Sequence, residues 1–165
     1  RGWAWYRFRC IQAAADLSQS VEALYKTVAE IKRRYPRAPK PALFGFSQGG
    51  VMTLSAIAKH PSEWSSAASL SGYWLSNDPL KASSLSASPE LLIAHGELDR
   101  VVPVSRGLDA AKVMGEAGAL VAWFVFQGGH QVSPEVIEVL TQHIERGWSV
   151  SSILDRRSVN RSDSQ

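Results

Sequence analysis

Apolar side chains recur at steps of three and four residues near the start of the chain. They lie within residues 16–35, at Leu17, Val21, Leu24, Val28, Ile31 and Tyr35. This period places them on one face of an amphipathic α-helix. Asp16, followed three residues later by Gln19, has the pattern of a capping pair at the start of this helix. Pro36 predicts where the helix ends.

Four short apolar runs follow, and each is predicted to be a β-strand. They are Ala42–Phe46, Ser66–Leu70, 90–95 and 120–126. The first run has no polar alternation, which is typical of a strand buried on both faces. The second is weak by composition, whereas the last has the strongest β propensity of the four. Between them, residues 75–89 contain five serines and are predicted to form a loop.

Helical patterns alternate with these strands. One helix is predicted over residues 49–59, before His60 and Pro61, and another over 104–117, before Gly118. The last helix has Ser133 as its N-cap and Pro134 at its first position. Its expected buried side chains are Val136, Leu140, Ile144 and Trp148. Strands that alternate with helices predict an α/β fold with a parallel sheet.

Length and composition fit an ordinary globular domain. The chain has 165 residues, of which 45% are hydrophobic and 20% are charged, enough for a single core. No apolar run approaches the length that spans a bilayer, so we expect no stable membrane insertion. The chain starts with an aromatic and basic stretch rather than Met, which resembles the middle of a domain. We therefore expect an N-terminally incomplete domain.

The net charge of +3 does not predict nucleic-acid binding. The positive charges are split between Lys32, Arg33 and Arg34 at a helix end and Arg156, Arg157 and Arg161 in a polar tail. A nucleic-acid interface needs a continuous basic patch, and we expect none. Cys10 is the only cysteine, so no intrachain disulfide forms. A single thiol, expected to be buried and inert, fits a reducing cytoplasm.

The segment Gly45-Phe46-Ser47-Gln48-Gly49 has the pattern G-x-S-x-G and joins a predicted strand to a predicted helix. This pattern is typical of a nucleophilic serine on a sharp turn, where flanking glycines permit the crowding. The N–H of Gln48 would begin the helix and serve as an oxyanion donor. The alternative is an ordinary serine in a glycine-rich turn.

A catalytic serine needs a histidine base and a carboxylate that orients it. Asp99 follows the third strand, and His130 follows the fourth. With Ser47 they stand in the order Ser, Asp, His, each at a carboxyl strand end, where such sheets build their sites. Glu97 and Asp78 are rivals for the acid: Glu97 has the alternative of capping a turn, and Asp78 precedes a proline in a loop.

The other histidines receive structural interpretations. His95, at a strand end, is expected to bond the turn that positions Asp99. His60 is expected to interact in its charged form with the end of a helix. His143 is expected on the surface of the last helix. No two of these histidines lie at ligand spacing on one face, so we expect no metal site.

Several aromatic residues are candidates for the substrate pocket. Trp5 and Tyr6 are placed at its rim, because such sites are mostly apolar. Trp74 follows the second strand and fits either the pocket or the core. Trp3 has the same two interpretations.

Three motifs together resemble a known family. They are Gly-Phe-Ser-Gln-Gly-Gly at 45–50, His-Gly-x-x-Asp-x-Val-Val-Pro at 95–103, and Gly-Gly-His at 128–130. The chain is similar in these to the carboxylesterase/lysophospholipase/acyl-protein thioesterase family of the α/β-hydrolase superfamily. The resemblance covers most of residues 1–148 and leaves a polar tail, 149–165, predicted to be disordered.

The resemblance implies a three-layer α/β-hydrolase fold with a mostly parallel sheet, here without the family's N-terminal strands. It implies hydrolysis of a small-molecule carboxylic ester or thioester with no cofactor. By position, it implies Ser47 as nucleophile, Asp99 as acid, His130 as base and Gln48 as oxyanion donor.

One departure from the family leaves alternatives open. A His-Gly-x-Gly-Asp-like loop supplies the family's second oxyanion N–H, and none precedes Ser47 here. Losing one such donor costs about 10²- to 10³-fold in rate. Alternatives are therefore an impaired fragment or non-catalytic module that retains the triad, or a peptidase on the same fold. A dienelactone-type hydrolase would have Cys in place of Ser47.

Overall fold

A parallel four-stranded sheet organises the computed structural model, which describes residues 4–7, 12–75, 80 and 84–146. The strands are β1 (Ala42–Phe46), β2 (Ser66–Leu70), β3 (Leu91–Gly96) and β4 (Val121–Phe126). They lie in the order β1-β2-β3-β4, and every neighbouring pair is parallel. The helices are α1 (Ala13–Arg34), α2 (Gln48–Lys59), α3 (Val104–Glu116) and α4 (Pro134–Arg146), with a short 3₁₀ turn at Pro61–Glu63.

The helices cover both faces of the sheet. Successive side chains of β3 point to opposite faces, as the pleat requires. Leu91 and Ile93 enter the core shared with α2 and α3, whereas Leu92 and Ala94 enter the core shared with α4. Helix α1 packs on α2. The three-layer α/β arrangement and the parallel sheet predicted from the sequence are confirmed.

Strand β1 differs from its prediction. Its side chains are not buried on both faces: Phe44 is 54% exposed and Phe46 is partly exposed. The reason is that β1 pairs only with β2 and forms an edge of the sheet in the described part of the chain. By contrast, β2 is buried throughout, although its small residues made it the weakest strand by composition.

The predicted capping pair of α1 is wrong. The helix begins at Ala13, so Asp16 already lies in its first turn and cannot act as the N-cap. The Asp16 carboxylate instead accepts hydrogen bonds from the Arg7 guanidinium at 2.7 and 3.0 Å. The apolar stripe is buried at Leu17 and Val21 and emerges on the surface at Ile31.

The last helix buries Val136 and Leu140 as predicted but differs from its prediction at His143 and Ile144. Ser133 caps it, since the Val136 N–H donates to the Ser133 hydroxyl, and Val136 and Leu140 are buried. Ile144 is exposed, and His143, expected on the surface, is 1% exposed. A helical period of 3.6 explains this correction, because residues 136, 140 and 143 stay on one face while 144 drifts off it. The His143 Nε2 atom lies 2.9 Å from the Ala67 carbonyl oxygen.

Some sequence predictions fall outside the described residues. They concern Trp3, Cys10, Asp78, Trp148 and the tail 149–165. Within the described ranges, no helix is long and apolar enough to cross a membrane.

Candidate active site

Ser47 sits on a strained turn between β1 and α2. Its backbone φ is 56°, a left-handed conformation that L residues rarely adopt. The Ser47 N–H donates to the Leu70 carbonyl at 2.8 Å, which ties the turn to β2. A side chain at Gly45 would place its Cβ 2.3 Å from the Gly49 carbonyl group. Gly45 therefore cannot be replaced without moving the turn, whereas a Cβ at Gly49 would meet nothing within 4 Å.

Ser47 and His130 are in hydrogen-bond contact. The His130 Nε2 atom lies 2.9 Å from the Ser47 hydroxyl, and its Nδ1 atom lies 2.7 Å from an Asp99 carboxylate oxygen. Because an ionised carboxylate only accepts, Nδ1 carries the proton when the ring is neutral. The Nε2 lone pair then accepts from the Ser47 O–H. The structure thus brings together the three residues that the sequence singled out.

Asp99 is held from two sides. Its Oδ1 accepts hydrogen bonds from the N–H groups of Val101 at 2.9 Å and Val102 at 2.8 Å, while its Oδ2 faces His130. Burial works against ionisation, but the hydrogen bonds from His130, Val102 and Val101 outweigh it and hold the pKa of Asp99 below its ordinary value. The carboxylate is therefore an anion aimed at the imidazole.

Glu97 is not the acid of this arrangement. Its carboxylate accepts a hydrogen bond from the exposed Gln127 side chain at 3.2 Å, away from His130. His95, predicted to bond the turn of Asp99, does so: its Nε2 lies 2.8 Å from the Val102 carbonyl oxygen. His60 lies at the carboxyl end of α2, as predicted, and its ring stacks on Tyr25 with centroids 3.9 Å apart.

Gln48 is the first residue of α2, so its backbone N–H is one of the helix donors without an intrahelical acceptor. Its side chain makes a contact that the sequence did not predict. The Oε1 atom accepts from the Trp5 N–H at 3.3 Å, and the Nε2 group donates to the Tyr6 carbonyl at 3.2 Å. This amide joins residues 4–7 to the serine turn.

Trp5 and Tyr6 occupy different environments. Trp5 is 52% exposed, whereas Tyr6 is buried in the core and its hydroxyl lies 3.0 Å from that of Tyr73. Burial and this hydrogen bond raise the pKa of Tyr6 far above its ordinary value. Both residues line a cavity of about 440 Å³ between residues 4–7 and α1. Trp74 packs, half-buried, against the main core.

Phe46 is a neighbour of the site that sequence reasoning missed. Its ring lies against the His130 imidazole, with centroids 4.8 Å apart. The sequence pattern predicted that Phe46 belongs to a buried strand. Its position directly before Ser47 was the signal that it would lie at the site. Among the described residues, no group of three His, Cys, Asp or Glu side chains has the arrangement of a metal site.

Sequence comparisons identify related proteins. The sequence profile of the Phospholipase/Carboxylesterase family matches residues 1–147. The chain is 30% identical over 147 positions to carboxylesterase SOBER1 of Arabidopsis thaliana, covering 83% of this chain and 63% of that protein. It is 34% identical over 101 positions to acyl-protein thioesterase 1 of Gibberella zeae, covering 58% of this chain and 43% of that protein. It thus spans less than two thirds of either relative.

Solved structures give the same relationship. Esterase PE8 superposes with a TM-score of 0.72 at 25% identity, covering 87% of this chain and 69% of that one. The Bacillus cereus carboxylesterase superposes with a TM-score of 0.77 over 88% of this chain and 69% of its own, and at 16% identity it supports the fold alone. With a family profile that matches nearly the whole chain, this protein belongs to the phospholipase/carboxylesterase family of α/β-hydrolases.

Proposed function

We propose that this protein hydrolyses carboxylic esters or thioesters through a covalent acyl-enzyme on Ser47. The observation that carries the proposal is the unbroken chain of hydrogen bonds from Ser47 Oγ through His130 to Asp99, at 2.9 and 2.7 Å. A serine hydroxyl is a weak nucleophile until a base removes its proton, and this geometry supplies that base. Relatives named carboxylesterase and acyl-protein thioesterase support the reaction class.

Acylation begins when Ser47 Oγ attacks the substrate carbonyl carbon and its proton passes to His130 Nε2. The same proton then passes to the leaving alkoxide or thiolate, which departs as an alcohol or thiol. Water next gives a proton to His130, and its oxygen attacks the acyl carbon. The acid is released, and Ser47 recovers its proton from His130.

Asp99 contributes by orientation and charge. Its anion fixes the His130 tautomer that presents a lone pair to Ser47, and it stabilises the imidazolium formed in each half-reaction. The N–H groups of Val101 and Val102 supply part of the stabilisation that keeps this buried carboxylate ionised.

Gln48 is the proposed oxyanion donor. Its N–H lies at the amino end of α2, where the helix dipole and free N–H groups favour negative charge. The developing oxyanion of the tetrahedral intermediate would be stabilised there.

The nucleophile assignment is tested with a fluorophosphonate probe followed by peptide mapping. Labelling of the wild-type chain at Ser47, and its loss in Ser47→Ala, is the expected result. A chain whose Ser47→Ala variant is still labelled would require another nucleophile.

A second experiment separates an active enzyme from a non-catalytic module. The chain itself is assayed for hydrolysis of p-nitrophenyl acetate, with His130→Ala as the matched variant. We expect turnover that His130→Ala abolishes. Faster cleavage of aminoacyl amides than of short-chain esters would indicate a peptidase instead.

A further inference from the structure

A second imidazole lies behind the proposed acid. His95, in β3, is fully buried, and its Nε2 lies 2.8 Å from the Val102 carbonyl oxygen and 3.5 Å from Asp99 Oδ2. Because a carbonyl oxygen only accepts hydrogen bonds, Nε2 must carry the proton that makes this bond. The tautomer of His95 is therefore set by the fold, with its N–H directed at the turn that carries Asp99.

Both backbone polar groups of Val102 are engaged in this turn. Its N–H donates to Asp99 Oδ1 at 2.8 Å, and its C=O accepts from His95. The position of the Asp99 carboxylate thus depends on Val102, whose other side is held by a ring that cannot move without disturbing the core. Among the described residues, His130 is hydrogen-bonded to Asp99 and Ser47 and not to Val102 or His95.

We propose that His95 is a positioning residue for Asp99, and that Gly107 is a glycine because the His95 ring occupies the space of its side chain. The inference rests on the proposed function, since it concerns the acid of that triad. In the described part of the chain, neither residue is hydrogen-bonded to Ser47 or His130.

Gly107 supplies the second, independent observation. It lies inside α3, where glycine is among the poorest helix formers. A Cβ built there would lie 2.3 Å from His95 Nδ1, a distance that requires the buried ring to shift. Gly115 belongs to the same helix, yet a Cβ there would meet nothing within 4 Å. Helix α3 therefore offers its own matched control.

The charge state of His95 fits a positioning role. Burial disfavours its charged form and lowers its pKa, while the Val102 hydrogen bond and the Asp99 charge act in the opposite direction and His130 adds to the lowering. The ring is therefore neutral. A charged His95 would compete with His130 for Asp99 Oδ2, and the neutral ring avoids that competition.

The first test compares His95→Leu, which removes the N–H donor, with His95→Gln, whose amide can place a donor near the same point. We expect kcat on p-nitrophenyl acetate to fall about 10- to 100-fold in His95→Leu, because an ångström of misplacement costs rate on this scale. The KM should change little, and His95→Gln should recover most of the lost activity.

The pH profile of kcat/KM gives a readout that a merely structural role would not move. Its acid limb reports the ionisations that the free enzyme needs for activity. Because a displaced Asp99 carboxylate changes the electrostatics of the site, we expect this limb to lie at a different pH in His95→Leu and at the wild-type pH in His95→Gln. Equal activities and superimposable profiles for the wild type, His95→Leu and His95→Gln would overturn the inference.

The second test compares Gly107→Ala with Gly115→Ala. We expect Gly107→Ala to lower kcat about tenfold and to shift the acid limb in the same direction, although alanine favours the helix. Gly115→Ala should leave kcat and the acid limb unchanged. In the His95→Gln variant, the flexible glutamine amide can move away from an added Cβ. Gly107→Ala should therefore lower kcat less in that variant than in the wild type. A Gly107→Ala enzyme that matches Gly115→Ala would contradict the proposal.

Fluorophosphonate labelling separates failure of this inference from failure of the proposed function. If the wild-type chain is not labelled at Ser47, the proposed function is wrong. If the wild-type chain is labelled and active, and substitutions of His95 and Gly107 leave the activity unchanged, only the positioning role is wrong.

Discussion

Two turns at the carboxyl edge of the sheet present the proposed catalytic side chains by different physical means. The turn of Ser47 is shaped by sterics: its backbone has a φ of 56°, and Gly45 leaves no room for a side chain. The turn of Asp99 is shaped by hydrogen bonds, since the carboxylate binds the N–H groups of its own loop. The Asp99 side chain is thus part of its own turn's structure, whereas the Ser47 hydroxyl is bonded to His130 and the Ser47 turn is held through its backbone.

The comparison predicts that the two turns respond to opposite kinds of substitution. An added methyl group should damage the first turn, and a lost charge should disable the second without unfolding it.

The largest expected effect is that of Asp99→Asn on activity. Asparagine keeps an oxygen that accepts from Val101 and Val102 but stabilises the wrong His130 tautomer. We expect kcat to fall by about 10⁴, the effect of the wrong tautomer in a serine-protease triad, with little change in the far-ultraviolet circular dichroism spectrum. A variant with wild-type kcat would show that Asp99 is not the acid.

Next in size is the effect of Gly45→Ala on stability. Its Cβ would lie 2.3 Å from backbone atoms of Gly49, which cannot rotate away. We expect a loss of about 3 kcal/mol in the free energy of unfolding, measured with urea, from overpacking at a strained site. Gly49→Ala is the control and should stay within about 1 kcal/mol of the wild type. Equal losses of unfolding free energy in both variants would contradict the steric explanation of this turn.

The pH dependence of stability sharpens the comparison further. The pKa of Asp99 is lower in the folded than in the unfolded chain, so its ionised carboxylate stabilises the folded state. This contribution is fully present above the pKa of Asp99 in the unfolded chain, about 4. The contribution is lost as the pH falls through the pKa of Asp99 in the folded chain. The difference in unfolding free energy between the wild type and Asp99→Asn should therefore shrink as urea titrations move from pH 7 to below pH 4. A difference that grows on acidification would contradict the lowered pKa.

The smallest expected effect concerns Phe46, which packs on His130 from the serine turn. Aromatic contacts of this kind contribute about 0.5–1.5 kcal/mol beyond burial. Phe46→Leu should reduce kcat severalfold, by less than the His95→Leu variant, with KM nearly unchanged. Phe44→Leu, on the same strand but away from the imidazole, is the matched variant and should keep its kcat. An equal loss of kcat in both variants would show that the effect comes from strand β1 and not from the contact between Phe46 and His130.

Much of the site was predictable because its signals are local. Ser47, Asp99 and His130 each follow the carboxyl end of a strand, which places the three residues on one edge of any parallel sheet. The choice of Asp99 over Glu97 was harder, since the two are separated by one residue. It depends on which carboxylate meets Val101, Val102 and His130 in space.

Burial was the weaker part of the prediction. His143 and Ile144 are adjacent on α4, and their exposures are reversed from those expected. Phe44 was expected inside but lies on an edge strand. The error at Phe44 arose because burial depends on the neighbouring element, which local composition does not identify. The error on α4 arose because steps of four residues were extended along a helix whose period is 3.6.

By itself, the sequence determined the kinds of elements, their order along the chain, and the candidate nucleophile, base and acid, because these follow from periodicity and short motifs. Only the tertiary structure decided why Gly107 is a glycine, why His95 is neutral and protonated on Nε2, and how Gln48 holds residues 4–7. Each of these depends on atoms far apart in the chain, whose approach within a few ångströms is set by packing rather than by local spacing.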